Sequence, residues 1–391
     1  MKHLQLRFWI LVCIVAISGL SQGMLMPLIA IIFENDGVDS SLNGLNASGL
    51  YIGILLASPL MEAPLRRFGY RPLLIAGAGT VVIAFALFPV WKSFWFWFIL
   101  RLIIGIGDNM LHFSTQTWIT SFSPLHKRGR NIAIYGLFFS LGFAVGPLLA
   151  GLVQYNEALP FILSSGVTLI AWLAIFLLKN EKPEQLIQTT SIMGTFGRFK
   201  QVFAYAWVAF LPPLGYGFLE ASLNGNFPVY ALRRGLDIDA VSLLLPAFAI
   251  GSIIFQIPLG VLSDRFGRRK LLMAIMLGGA FIFFIAGNVQ ESILGLSLCF
   301  LTAGMIVGST YSLGISYMAD LLSADLLPAG NIMCSVFFSF GSMIGPFIGG
   351  NVIKHFSGGS FFFMFTIMLI FICGALAMFR QKQHRSQKSA A

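Results

Sequence analysis

Apolar residues in this chain fall into twelve long blocks that are separated by short polar segments. Each block has about twenty residues or more, the length that an α-helix needs to cross a hydrocarbon core of about 30 Å. The runs are continuous, whereas the strands of a membrane barrel would alternate polar and apolar positions, so the pattern predicts helices. The predicted spans cover residues 8–33, 43–64, 72–91, 94–122, 131–155, 158–178, 202–232, 240–262, 271–289, 292–322, 331–354 and 360–379.

The composition agrees with a membrane protein. Hydrophobic residues make up 57% of the chain and charged residues only 10%, whereas a soluble domain has roughly a quarter charged residues. The first block is too long for a signal-peptide core and no cleavage site follows it, so we expect it to remain as a helix. The cysteines lie inside apolar blocks without metal-like spacing, so they predict packing and neither a disulfide framework nor a metal site: Cys13, Cys299, Cys334 and Cys373.

Basic residues are concentrated on one side of this topology. Twelve spans place both termini and every second loop on the same side, which carries 20 of the 25 lysines and arginines. The other side carries Lys92, Arg233, Arg234 and Lys354, and Arg101 lies within a span. Positively charged loops stay in the cytoplasm. The net charge of +10 therefore predicts a cell-membrane protein with both termini cytoplasmic, and no nucleic-acid partner.

Two motifs recur at an offset of about 199 residues, which indicates an internal duplication. The pattern RFGxR at 67–71 returns at 265–269, and GxxxGPxxxG at 142–151 returns at 341–350. The small residues of the second motif allow close helix approach and its prolines allow bending. These positions are Gly142, Gly146, Pro147, Gly151, Gly341, Gly345, Pro346 and Gly350.

The longest polar segment divides the twelve spans six and six. We therefore predict an N-terminal six-helix bundle at 1–178, a cytoplasmic linker at 179–201 and a C-terminal six-helix bundle at 202–391 that ends in a short basic tail.

The sequence GxxxDRxGRR at 260–269 resembles the signature loop of the major facilitator superfamily. Arg101-x-x-x-Gly105-x-Gly107 is similar to a second motif of that family, and the Gly-Pro motif of the fifth span resembles the one associated with its antiporter branch. The resemblance implies an all-α membrane protein of two pseudo-symmetric six-helix bundles. These bundles would enclose a central cavity that opens to either side in turn.

Ionisable residues inside the spans are costly in a bilayer and are therefore candidates for proton coupling. Arg101, Asp108, His112 and Gln116 are spaced by seven, four and four residues and form a stripe on one helix face. Asp108 would lie about 20 Å below the outer end of this helix, near the bilayer centre. We expect Asp108 to take up and release protons, and Arg101 to tune the proton affinity of Asp108. The alternative is that these groups hold the bundle together. Glu220 is the second acidic candidate, the alternative being a solvated carboxyl in an outer vestibule.

Polar residues on the other inner faces are candidates for the substrate cavity. They are Gln22, Asn46, Tyr51, Gln116, Tyr135, Asn224, Gln256 and Tyr311.

Charges in the cytoplasmic loops are complementary between the halves. The family fold implies that each signature loop packs against the opposite half. We therefore expect Asp264 to pair with Arg128 or Arg130. Likewise, Arg66 or Arg67 would pair with Asp320 or Asp325, with Arg265 and Arg268 in the same cluster. Such pairs would close the cytoplasmic side in the outward-open state, the alternative being incidental acids among ordinary positive loops.

The favoured hypothesis is a secondary active transporter that exports a small drug-like or amphipathic solute in exchange for protons. The alternative is an uptake symporter or uniporter for a sugar, nucleoside or organic anion, and the third is a non-transporting membrane sensor or scaffold. No nucleophile–base set or phosphate loop points to an enzyme, so we expect no cofactor beyond a proton gradient. The expected partners are the lipid bilayer, protons and the solute, with the protein as a monomer.

Overall fold

A computed structural model describes residues 2–123, 125–182, 192–323, 326–356 and 360–379. These residues form fifteen α-helices and no β-strand. The helices are α1 (Lys2–Asn35), α2 (Ser40–Ala57), α3 (Glu62–Phe68), α4 (Tyr70–Leu87), α5 (Phe94–Phe122), α6 (Leu125–Ala150), α7 (Leu159–Ile175), α8 (Ile192–Ala206), α9 (Leu211–Arg233), α10 (Ile238–Phe266), α11 (Arg268–Asn288), α12 (Ile293–Val307), α13 (Thr310–Leu321), α14 (Leu327–His355) and α15 (Phe362–Met378).

Twelve helical segments correspond to the predicted spans. Within the described part of the chain, nine helical stretches are long and apolar enough to cross a membrane, and α7 and α15 are shorter apolar helices. The remaining span is α2, whose first half carries polar Ser and Asn residues, of which Ser40 and Ser41 contact the other half of the molecule. The twelve-helix prediction is therefore confirmed, with α12 and α13 together forming one span.

Three predicted spans are broken rather than continuous, the seventh by a 3₁₀ turn over Trp207–Phe210 between α8 and α9. The second span ends as an α-helix at Ala57, and Pro59, which has no backbone N–H, then begins a short 3₁₀ turn over Ser58–Leu60. The tenth span breaks at Gly308 and Ser309, between α12 and α13. Gly308 lies so close to α10 that an added methyl group would overlap the side chain of Ser252. Close helix contact therefore accompanies the break in the tenth span.

The buried residues form two cores, one for each half of the chain. The first draws on residues 10–178 together with Ala221, and the second on residues 202–376 together with Ala30. Each half thus contributes one alanine to the core of the other, so the two bundles are packed together along their shared seam.

The glycines of the repeated motif lie where helices touch. A methyl group added at Gly142 on α6 would overlap the carbonyl oxygen of Ala16 on α1. The equivalent addition at Gly341 on α14 would overlap the carbonyl oxygen of Leu214 on α9. Because small residues let two backbones approach, the α1–α6 and α9–α14 pairs are equivalent close contacts in the two halves.

Polar contacts join the two halves at one end of the molecule. The end at which α4 and α11 begin is called the basic end, and the end at which α2 and α10 begin is called the opposite end. At the opposite end, Arg233 pairs with Glu34 at 2.6 Å. Further cross-half contacts are Lys354 with Asp39 at 3.0 Å, Gln154 with Asp239 at 2.6 Å, Ser40 with the Gly350 carbonyl at 3.0 Å and Ser41 with Asn351 at 3.2 Å. The structure is therefore a conformation closed at the opposite end.

Candidate functional site

A buried polar cluster joins α1, α5 and α6 inside the N-terminal half. Ser18 donates to Asp108 Oδ1 at 2.9 Å and lies 3.2 Å from His112 Nε2. Gln22 Nε2 lies 3.4 Å from both the Ser18 hydroxyl and His112 Nε2. On the other side of the imidazole, His112 Nδ1 lies 2.7 Å from the Tyr135 hydroxyl. These five residues are called the Asp108 network.

Asp108 is the acidic group of this network and is almost fully enclosed. Its exposed fraction is 1%, and its Oδ2 atom is buried without a hydrogen-bond partner in the protein. The described contacts of Asp108 include no lysine or arginine. An ionised carboxylate buried without a counter-charge costs several kcal/mol. The site can therefore hold a proton in this conformation and release it in one that admits water.

Arg101 does not contact Asp108 directly, and its tuning role stays a prediction. Its Nη2 atom donates to the backbone carbonyls of Leu25 at 3.2 Å and Met26 at 3.4 Å. Those carbonyls lie seven and eight residues beyond Ser18 on α1, about 10 Å along the helix axis. Arg101 is fully buried, so its described contacts anchor α5 to α1 rather than to the acid.

A recess lies between the two halves, lined by α6 from the first half and by α9 and α10 from the second. It holds about 540 Å³ of space free of protein atoms, counting the part open to solvent. Glu220 is its acidic residue, and the Tyr216 hydroxyl donates to Glu220 Oε1 at 3.4 Å. Other lining residues are Phe139, Ser140, Phe143, Pro147, Leu223, Asn224, Leu245, Phe248, Ala249 and Ser252. This site is called the Glu220 recess.

The predicted cavity residues are distributed over several places. Asn224 lines the recess, whereas Gln22 and Tyr135 belong to the Asp108 network. Tyr51 on α2 lies at the seam, near Ser342 of α14 and near the ionisable groups Arg101 and Glu220.

The other predicted cavity residues lie away from the recess. Asn46 is buried and donates to the Phe94 carbonyl at 3.1 Å, and the Tyr311 hydroxyl lies 3.3 Å from Ser335 Oγ. Gln116 and Gln256 are exposed. These four are not brought together with the Glu220 recess in this conformation.

The two described acids of the predicted cluster, Asp264 and Asp320, contact their own half in this conformation. Asp320 accepts from Arg268 Nη1 at 2.6 Å, and Asp264 lies 3.4 Å from Nη2 of the same guanidinium. Arg268 begins α11 one turn after Asp264 and can reach α13, whereas the described ion pairs between the halves lie at the opposite end. The cross-half pairs would require a conformation closed at the basic end, and they stay a prediction.

The remaining residues of that predicted cluster are placed only in part. Arg66, Arg67 and Arg265 are exposed, and the Arg67 guanidinium lies 5.2 Å from the ring of its neighbour Phe68. Asp325 and the side chains of Arg128 and Arg130 lie outside the described residues.

The last arginine of the repeated RFGxR pattern has a role that the sequence did not reveal. Arg71 Nη2 donates to the Phe176 carbonyl at the end of α7, at 3.2 Å. Its repeat equivalent Arg269 donates to the carbonyls of Leu376 and Ala377 at the end of α15, at 2.9 and 3.0 Å. Each arginine therefore caps the last helix of its own half, and the motif has a structural function in both repeats.

The two phenylalanines that α6 contributes to the recess were missed. Phe139 and Phe143 follow Tyr135 at intervals of four residues, so the three lie along one face of α6. That spacing was visible in the sequence, but many of the 39 phenylalanines fall at helical spacing, so the pattern alone did not distinguish a recess from helix packing.

Known proteins of one family match the whole chain. The Major Facilitator Superfamily model matches residues 11–245 and again residues 214–391. The uncharacterized MFS-type transporter YfkF of Bacillus subtilis (strain 168) is 54% identical over 376 residues, or 96% of each chain. Multidrug resistance protein 1 of the same organism is 24% identical over 391 residues, covering 96% of this chain and 97% of its own.

Solved transporters share the fold. The crystal structure of the nucleoside transporter NupG has a TM-score of 0.78 at 14% identity and covers 96% of this chain and 100% of that chain. The D-xylose–proton symporter has a TM-score of 0.75 at 16% identity, with coverage of 95% and 97%. Twelve spans, the duplicated motifs and these matches agree, and the chain belongs to the major facilitator superfamily as a multi-pass membrane transporter, not an enzyme.

Proposed function

We propose that the protein exports small organic solutes in exchange for protons. The Asp108 network is the proton site and the Glu220 recess is the solute site. The observation that carries this proposal is the buried Asp108 carboxyl, which has one oxygen without a partner and no basic contact. A membrane-buried acid of this kind is typical of a proton relay.

The lining of the recess supports an organic solute without net negative charge. Phe139, Phe143, Tyr216 and Phe248 provide ring surfaces for an apolar or aromatic body. Glu220 supplies a carboxyl group, and no lysine or arginine is among the lining residues. An organic anion would therefore meet an acid without a compensating base, which disfavours the anionic cargo of the alternative hypothesis.

Two observations favour export over uptake. The Gly-Pro motif of α6 resembles the one associated with antiporters, and a relative with 24% identity is named multidrug resistance protein 1. We place the basic end in the cytoplasm because it bears most of the lysines and arginines. The conformation closed at the opposite end is then inward-facing, the state in which an exporter takes up its solute.

Transport by purified protein in liposomes tests the proposal. The probe is ethidium, an aromatic cation, and the membrane potential is held at zero with valinomycin and equal potassium on both sides. Vesicles with an acidic interior are expected to accumulate ethidium as protons leave. Asp108→Asn should abolish this accumulation, whereas Glu157→Gln, which changes a half-exposed acid outside the spans, should retain it.

Three results would each reject a part of the proposal. Accumulation only in vesicles with an alkaline interior would indicate symport, and accumulation unaffected by Asp108→Asn would remove the proton site. Failure of ethidium to bind or move in the wild-type protein would reject the recess as a site for aromatic solutes.

A further inference from the structure

The proton site and the solute site have no residue in common. None of Ser18, Gln22, Asp108, His112 or Tyr135 lines the Glu220 recess. Exchange nevertheless requires that the protonation of one site changes the affinity of the other, because coupling is a free energy between two sites. Some part of the structure must therefore contact both sites.

Phe139 is the residue that makes both contacts among the described interactions. Its ring packs against the His112 ring in a T-shaped arrangement, with the centroids 4.9 Å apart. The same side chain lines the Glu220 recess. Phe139 follows Tyr135 by one helical turn, so the imidazole of His112 lies against one face of α6, where it meets the hydroxyl of the first residue and the ring of the second.

The backbone around Phe139 has little room to move. A methyl group at Gly19 of α1 would overlap the Phe139 carbonyl oxygen, and one at Gly23 would overlap the Phe143 carbonyl oxygen. The two helices thus touch backbone to backbone on either side of this position. A signal that passes from α5 to the recess at this level must therefore involve the Phe139 side chain rather than a shift of α6 against α1.

The hydrogen bonds of the network show how protonation of Asp108 can affect His112. Ser18 has one hydroxyl proton and donates it to Asp108 Oδ1, so it can only accept from His112 Nε2. A proton on Asp108 can reverse this bond. Ser18 would then donate to His112 Nε2, and the ring proton would move to Nδ1, facing Tyr135. Protonation of Asp108 thus changes the tautomer of the imidazole that contacts Phe139.

We infer that Phe139 is the positioning residue that couples protonation of the Asp108 network to the affinity of the Glu220 recess. The inference rests on the proposed function and adds to it the route between the sites. The Phe139 ring takes one orientation against each state of His112, and the recess wall that it forms changes with it. Phe139 itself neither carries the proton nor supplies charge to the solute.

Phe143 provides a matched control. It lies one turn further along α6 and lines the same recess, but its described ring contact is with Phe139, at 6.0 Å, and not with His112. Phe139→Leu and Phe143→Leu therefore remove an equal amount of aromatic wall, and only the first removes a contact with the proton site.

The experiment measures ethidium binding to detergent-purified protein at pH 6 and pH 8 by fluorescence. For the wild type, the two dissociation constants are expected to differ by about fivefold or more, the lower range of coupling between sites. Phe143→Leu should weaken binding at both pH values and keep the ratio. Phe139→Leu should reduce this ratio to what protonation of Glu220 in the recess contributes directly, and Phe139→Tyr, which keeps the ring, should restore it.

The outcomes separate this inference from the proposed function. A wild-type ratio near one would reject proton coupling itself and with it the route. A clear wild-type ratio that Phe139→Leu retains, or that both leucine variants lose equally, would reject only the role of Phe139. Phe139→Met, which preserves more of the volume, replaces the leucine variant if that variant has a lowered melting temperature.

Discussion

Arg233 on α9 donates to both carboxylate oxygens of Glu34 on α1, at 2.6 and 3.1 Å. The pair joins the two halves at the opposite end, where the Glu34 side chain is only 14% exposed. A two-pronged arginine–carboxylate contact is geometrically specific. It forms only while this end is closed, so it stabilises one of the two conformations that an alternating-access transporter needs.

Removal of this pair should shift the protein away from the closed conformation. A partly exposed ion pair contributes up to about 1 kcal/mol, which is roughly a fivefold change in population. The measurement is disulfide cross-linking of Ser41→Cys with Asn351→Cys, whose side chains meet across the seam at 3.2 Å, after replacement of the native cysteines. Arg233→Gln should slow cross-linking by about two- to fivefold.

Lys92→Gln is the control for this change. Lys92 pairs with Asp36 at 2.7 Å and Glu157 at 2.8 Å, all within the N-terminal half, so its loss should not alter the cross-linking rate. Equal slowing by both variants would mean that general stability, and not the cross-half pair, controls closure.

Two charged groups outside the spans, Asp39 and Lys92, should not titrate near neutral pH. Burial alone would raise the pKa of Asp39, but hydrogen bonds from Lys354 and Ser41 outweigh it and hold the pKa below its ordinary value of 3.8. Burial alone would lower the pKa of Lys92, yet contacts with Asp36 and Glu157 hold it above 10.5. The Asp39 contribution is present above its ordinary pKa and is lost as the pH falls through the depressed value. The Lys92 contribution is present below 10.5 and is lost as the pH rises through the raised value.

The pKa of Asp39 is lowered and that of Lys92 is raised, so a change of ethidium affinity between about pH 5 and pH 9 should not arise from either group. Asp39→Asn should slow the cross-linking described above but leave the ratio of ethidium affinities at pH 6 and pH 8 as in the wild type. A changed ratio in Asp39→Asn would instead place the pH-sensitive group at the seam of the opposite end.

The glycine contacts predict a stability difference between two positions on the same helix. Gly142→Ala should lower stability by about 1–3 kcal/mol, as overpacking does, because the new methyl group overlaps α1. Gly136 on α6 has no neighbouring atoms where a methyl group would be added, so Gly136→Ala should leave stability unchanged or raise it slightly. Melting temperatures in detergent provide the comparison, and equal values for both variants would contradict the close contact.

Replacement of Arg269, which caps α15, should reduce stability even when the positive charge is kept. Arg269 uses two nitrogens for two carbonyls, and a lysine ammonium cannot reproduce this planar fork. Arg269→Lys should therefore reduce stability by about 1–2 kcal/mol, whereas Arg265→Lys, on an exposed position, should be neutral. A melting temperature for Arg269→Lys equal to that of the wild type would show that charge alone suffices.

Hydrophobic patterning was sufficient to predict the twelve spans, because a bilayer leaves the backbone few alternatives to the helix. The duplication predicted equivalent helix pairs, and Gly142 and Gly341 lie at equivalent contacts. The span breaks at Pro59 and Gly308 were not predicted. A proline or glycine within an apolar run is compatible with both a continuous and a broken helix, and the surrounding helices decide between them.

Candidate residues for the site could be named from the sequence, but their contacts could not. Asp108 and His112 were identified by their cost in a membrane, yet the contact between Arg101 and α1 depends on how the helices pack. Asp264 and Asp320 illustrate a different limit, since complementary charges do not specify the conformation in which they meet. In the conformation described, Arg268 forms ion pairs with both acids.

Arg101 has a consequence for how the chain enters the membrane. An arginine within a span costs up to about 2.5–3.5 kcal/mol on insertion, and here the described partners of its guanidinium are carbonyls of Leu25 and Met26. Those partners belong to α1, whereas Arg101 lies on α5, three spans later in the chain. Insertion of α5 is therefore least costly while α1 still lies beside it, and the spans of the first half are expected to enter the membrane cooperatively.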